Sequence, residues 1–113
     1  LVNLLTTTRI IRKGFSTTLC LYGPGVLMAA AGRGFPDVGA EGFPGNLSMN
    51  KQLDTIMNEG GTIHACRFAM VALYGMRESD IMEGVKPFHP LDVLDGLIDH
   101  WRDGALTIAT WTV

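Results

Sequence analysis

The sequence predicts an α/β domain: a small parallel sheet with helices on both faces. Three observations carry this. Short apolar segments alternate along the chain with stretches of helical periodicity, the order expected of β-α-β units. The segment Phe15 to Tyr22 is β-branched, aromatic and aliphatic without polar alternation, as in a strand covered on both sides. Finally, 113 residues suffice for one hydrophobic core and not for two, so residues 1–113 are read as a single domain.

Leu1, Leu4, Leu5, Thr8 and Ile11 recur at helical spacing. Arg9, Arg12 and Lys13 gather near the end of that run, with Gly14 just beyond, which suits a helix C-terminus. No capping residue precedes Leu1, so the chain is expected to begin partway through an element, with the first strand of the sheet lying upstream. Phe15 to Tyr22 follows as a strand, closed by the Gly23-Pro24-Gly25 breaker. Val26 to Ala31 is expected to start a helix that Gly32 and Gly34 stop. Residues 32–45, with five glycines and two prolines, read as a long loop.

Met49, Leu53, Ile56 and Met57 share one helical face, and Gly60-Gly61 ends that helix. Thr62 to Cys66 is a short strand, and Phe68 to Tyr74 a helix capped by Gly75. Glu78 to Met82 can add one turn. Pro90 suits a first helical turn, and Leu91, Leu94, Ile98 and Trp101 form an apolar stripe that ends near Gly104. Ala105 to Val113 is expected to be the last strand.

Composition narrows the function classes. Nine basic against eleven acidic residues give a formal charge of -2, which offers no field to hold a phosphate backbone, so nucleic acid is not an expected partner. Gly14 to Gly32 carries no charge, yet Ser16, Thr17, Thr18 and the Gly-Pro-Gly break leave pieces too short to span a membrane, and no membrane association is expected. Two cysteines, Cys20 and Cys66, form neither a secreted-type disulfide framework nor a CxxC pair. Reduced thiols in a cytoplasm are the expectation. The apolar fraction of 47% and a mean hydropathy of +0.22 exceed what one thin sheet needs to cover, which points to a subunit interface. Apolar residues of the N-terminal half, among them Phe35, Val38, Phe43 and Leu47 in and beside the glycine-rich loop, are expected in it.

Open α/β sheets bind ligands at the carboxyl ends of their strands. Three places qualify and are expected to cluster: Tyr22 to Gly25, Cys66-Arg67, and the surroundings of Trp111. Cys66, at a strand end immediately before a helix, meets the positive end of the helix dipole, the setting of a nucleophilic thiol, and Arg67 adds a cation. The plainer reading is a small buried side chain. His64, two residues earlier on the same strand, shares the face of Cys66. Cys20 is mid-strand with no helix start near it. Gly23 and Gly25 can turn backbone N–H groups toward an anion, although a plain turn explains them as well. His89 suits a cap and His100 a solvated face, while Asp92, Asp95 and Asp99 suit an exposed one. No histidine pair has the spacing of a zinc helix and no GxSxG occurs, so neither a metal nor a serine nucleophile is assigned.

The segment Gly61-Thr-Ile-His-Ala-Cys66-Arg-Phe-Ala-Met-Val-Ala-Leu-Tyr-Gly75 resembles the DsrE/DsrF-like family, which includes sulfur-relay proteins. Asp80-Ile-Met-Glu-Gly-Val85 continues the likeness, and Leu21-Tyr-Gly-Pro-Gly25 adds to it in the first half. The resemblance implies a flavodoxin-like layered α/β fold, assembly into homotrimers or homohexamers, and a persulfide-carrying cysteine that corresponds to Cys66. It implies transfer of sulfane sulfur between donor and acceptor proteins with no cofactor. The alternative is a non-enzymatic oligomeric module of the same fold, whose crevice around Tyr22, Cys66 and Trp111 holds a small ligand or partner segment.

Overall fold

The structure is a computed structural model, and it describes residues 2–31 and 49–109. The glycine-rich segment 32–45, with Phe35, Val38 and Phe43, and also Leu47 and Trp111, lie outside the described residues.

The architecture is a small α/β fold built on a three-stranded parallel sheet of order β1-β2-β3, with β1 at Thr18–Leu21, β2 at Thr62–Cys66 and β3 at Lys86–Phe88. Four α-helices accompany it: α1 at Val2–Arg12, α2 at Met49–Asn58, α3 at Arg67–Tyr74 and α4 at Pro90–Arg102. Two 3₁₀ segments, Gly23–Ala29 and Glu78–Asp80, connect them. Helix α1 packs on α2, and α2, α3 and the first 3₁₀ segment pack on the central strand β2.

The helix stops follow from glycine. Gly14, Gly60 and Gly104 sit at φ +91°, +96° and +84°, which side-chain-bearing residues rarely adopt. This left-handed turn lets the next N–H reach back five residues: Phe15 to Ile10 at 3.4 Å, Gly61 to Ile56 at 2.9 Å and Ala105 to His100 at 2.9 Å. Carbonyls that a helix end leaves orphaned are thereby satisfied. The stops expected for these helices are therefore where the sequence places them.

Three expected elements are corrected. The Val26 to Ala31 helix is a 3₁₀ helix that starts earlier, with the Gly-Pro-Gly inside its first turn: Gly25 N–H donates to the Tyr22 carbonyl at 2.8 Å. Pro24 at the helix start costs no intrahelical bond, which makes the tripeptide an initiator as well as a breaker. Strand β1 is shorter than Phe15 to Tyr22, and its burial rises along its length from exposed Thr18 through half-buried Leu19 and Cys20 to buried Leu21, so it is not covered evenly on both faces.

The third strand is Lys86–Phe88 and not Ala105 to Val113; residues 105–109 form no strand and are exposed, and 110–113 lie outside the described residues. Lys86-Pro87-Phe88 shows almost no strand pattern because it holds a proline, yet an outer strand tolerates a missing N–H on its unpaired side. The register Ala65↔Pro87 and Cys66↔Phe88 places it directly beside the end of β2.

The core lies where the sheet meets α1, α2 and the first 3₁₀ segment. Leu4, Val26, Leu53, Ile56, Ile63 and Met70 are fully buried. Between α1 and α2 the buried Gln52 amide donates to Thr8 Oγ1 at 2.9 Å, and Thr8 in turn donates to the Leu4 carbonyl at 3.0 Å, so this polar pair is satisfied inside the core. The 3₁₀ segment is tied to the Glu78–Met82 region by Ala31 N–H to the Asp80 carbonyl at 2.7 Å and Met82 N–H to the Ala29 carbonyl at 2.8 Å.

Helix α4 follows its expected span, but its apolar stripe faces outward. Leu91, Leu94, Ile98 and Trp101 are 62%, 55%, 48% and 73% exposed, and only Val93 is buried. No helix among the described residues is long and apolar enough to cross a membrane.

Candidate functional site

Successive strand residues point to opposite faces, so the register of the sheet sorts its side chains into two sets. Leu19, Leu21, Ile63 and Ala65 share one face, and the last three of these are buried. On the other face Cys20, His64 and Lys86 form one row across all three strands, because Cys20 pairs with His64 and His64 with Lys86. One step toward the carboxyl ends, Cys66 pairs with Phe88, and Tyr22 stands just past the end of β1. This face carries the chemistry-bearing side chains.

Phe88 organises the group. Its ring lies edge-on to Tyr22 at 5.6 Å between centroids and 73° between planes, and edge-on to His64 at 5.8 Å and 69°. Edge-to-face pairs of this kind fix ring orientation as well as burying area. Burial pushes the Tyr22 phenol up to about 12, and the Cys20 and Cys66 thiols facing it add to the rise. Tyr22 therefore keeps its O–H through the physiological range. The His64 imidazole is shifted down, chiefly by burial and then by the Lys86 ammonium beside it, so it is neutral at pH 7. The Cys20 thiol is pushed up by burial and stays protonated.

Cys66 ends the central strand and is the N-cap residue of α3, with φ -64° and ψ 112°. Its side chain makes no capping hydrogen bond and is 5% exposed. Arg67, the first residue of α3, is ion-paired through its Nε with Glu78 of the second 3₁₀ segment, at the surface. Gly23 and Gly25 begin the first 3₁₀ segment, where Gly25 N–H is already bonded to Tyr22 and Pro24 has none to give. Two backbone donors for an anion are thus not assembled there.

The structure accordingly brings Tyr22, His64 and Cys66 together, leaves Arg67 and Gly25 otherwise engaged, and holds Trp111 outside the described residues. Of the other histidines, His89 caps α4, its Nδ1 accepting from Leu91 N–H at 3.2 Å, and His100 is exposed. Among the described residues no three His, Cys, Asp or Glu side chains converge as metal ligands.

The chain matches no family model and no curated protein. The reading of the site therefore rests on its own geometry.

Two site residues escape a sequence reading. Phe88 is hidden in a strand that shows no strand pattern. Cys20 looks isolated in the sequence, yet the alternation Cys20–Tyr22 in one strand and His64–Cys66 in the next is the available signal that all four share a face.

Proposed function

We propose that the protein is a cytoplasmic homo-oligomer that carries sulfane sulfur on Cys66. The observation behind this reading is the position of Cys66 at the carboxyl end of the central strand, at the start of α3, on one face with the Tyr22 phenol and neutral His64. The first-turn N–H groups of α3 and the Tyr22 O–H suit a sulfur anion better than a neutral thiol.

The step is an exchange without net redox change. The Cys66 thiolate attacks the terminal sulfur of a donor persulfide, the new Sγ–S bond forms as the donor's S–S bond breaks, and the donor leaves as a thiolate. An acceptor thiolate then takes the same sulfur and returns Cys66 to its starting state. Neutral His64 can accept the thiol proton in the first half and return it in the second. The trimeric or hexameric assembly implied by the resemblance belongs to the same proposal.

A second reading, a ligand- or partner-binding module, is favoured by two observations: Cys66 is 5% exposed, and Arg67 is paired with Glu78. Peptide mass spectrometry after treatment with a low-molecular-weight persulfide separates the two. Sulfur carriage expects a one-sulfur mass increment on the Cys66 peptide, removed by a thiol acceptor and absent from Cys66→Ser. An unmodified Cys66 that also resists alkylation across the pH range assigns the face to binding alone.

A further inference from the structure

Between α1 and α2 lies a hollow of about 570 Å³, separate from the face that carries Cys66. Thr8 meets Gln52 there and Arg12 meets Glu59 further on, so the two helices run in the same direction and end side by side. Leu5 and Thr8 line the start of the hollow along α1, with Gln52 and Thr55 across from them on α2, and Arg9, Arg12 and Lys13 line its other end. None of the lining residues is acidic. We infer that this hollow binds a small hydroxyl-bearing phosphate monoester, its phosphate on the three cations and its organic part along Leu5, Thr8 and Thr55.

Three observations carry this. First, the positive charge exceeds what α1 needs. A helix C-terminus presents about half a negative charge, which one cation offsets, whereas α1 ends on three. Glu59 accepts from the Nε of Arg12 at 2.9 Å, and among the described residues Arg9 and Lys13 have no acidic partner. Arg9 stands three residues before Arg12 and four before Lys13, spacings at which like charges repel on a helix. A dianion among them relieves that repulsion, and a guanidinium fork beside an ammonium matches phosphate oxygens.

Second, the charge is local. The chain carries a formal charge of -2, yet three of its nine basic residues line this one hollow. A recess of one sign between low-dielectric walls concentrates small anions that the rest of the surface repels.

Third, size and hydrogen bonding select the ligand. From Leu5 to Lys13 the helix rises roughly 12 Å, too short a track for a polymer backbone. The volume falls within the ~300–1,000 Å³ of small-molecule sites, and a bare phosphate would leave most of it empty. The hydroxyls of Thr8 and Thr55 already donate to the Leu4 and Lys51 carbonyls, so what they offer a ligand is lone pairs. Hydroxyl groups on the organic part supply the matching donors.

Calorimetric and NMR titration of the full chain with ribose 5-phosphate tests the inference. Saturable shifts are expected at the amides of residues 8–13, and none with ribose alone. Both Arg9 and Lys13 are exposed, so Arg9→Gln/Lys13→Gln is expected to keep the circular dichroism and melting of wild type while weakening binding about tenfold or more. Arg102→Gln, on α4, is expected to bind as wild type does. Vesicles containing phosphatidic acid, the lipid source of the same group, are expected not to retain the protein. No saturable binding up to about 10 mM overturns the inference, as it would if another part of the chain filled the hollow. So does undiminished binding by the double variant, or retention on vesicles without binding of the soluble ester. Cys66→Ser is expected to bind the ester normally, so this result and the sulfur-loading experiment are judged separately.

Discussion

At the scale of single residues, His64 is the most informative reporter of the candidate site. Its pKa lies below the usual ~6.5 because burial and Lys86 both disfavour the imidazolium. The unfolded chain thus binds this proton more readily than the native one. The stabilisation from neutral His64 is fully present above the unfolded value of ~6.5 and is lost as pH falls through that value toward the lower folded one. NMR titration of the ring protons is expected to give a value below the usual ~6.5. Lys86→Gln is expected to move His64 upward by part of the shift only, since burial is the larger cause. An unchanged His64 in that variant would show that Lys86 does not reach the ring.

The same scale shows what a sequence reading can hold. That His64 and Cys66 share a face follows from two-residue spacing alone. That Arg67 turns to Glu78 does not, because the partner comes from a separate 3₁₀ turn whose position depends on the contacts made by Ala29 and Ala31.

At the scale of elements, α1, α2 and the start of β2 meet in close packing at Gly61. A Cβ at Gly61 would stand 2.7 Å from Ile11 Cδ1, 2.7 Å from Ile56 Cγ2 and 3.0 Å from the Ile56 carbonyl oxygen. The backbone atom cannot step aside as a side-chain end can. Gly61→Ala is therefore expected to destabilise the fold by about 1–3 kcal/mol, measured by urea unfolding, as overpacked core sites do. Leu53→Ala, at a fully buried position of α2, is expected to cost about 2–5 kcal/mol through lost burial and a residual cavity.

Helix ends were legible because glycine chemistry is local: the motif at Gly14, Gly60 and Gly104 needs nothing beyond its own turn. Strand β3 was not, since three residues with a central proline become a strand only when β2 is beside them. The apolar run from Ala105 met every local criterion for a strand without finding a neighbour among the described residues. The α4 stripe was visible as a pattern, but periodicity tells which residues face together and not whether they face inward.

At the scale of the whole molecule, the excess of apolar residues noted in the composition has a definite location. The exposed large apolar side chains include Phe68, Val71 and Leu73 of α3 and the α4 stripe, so the described part of the excess lies largely in the C-terminal half. The N-terminal residues expected at an interface lie mostly outside the description. A dye that reports exposed apolar surface is expected to fluoresce less with Leu94→Glu/Ile98→Glu than with wild type at equal concentration, since both side chains are exposed. Equal signals would mean that this stripe is already covered in solution.

Pro87 bears on how copies of this chain can go wrong as well as right. A parallel sheet whose outer strand is three residues long, with an imide at its centre, offers a growing fibril almost no hydrogen-bonding template. Association on that side is steered away from strand addition and toward side-chain contacts between helices. Replacing Pro87 with Thr restores the missing donor on this edge strand, and the variant is expected to form thioflavin-positive aggregates sooner on prolonged warming. On the β3 edge, one of the two that the sheet presents, Pro87 is thus expected to work as a gatekeeper against strand addition.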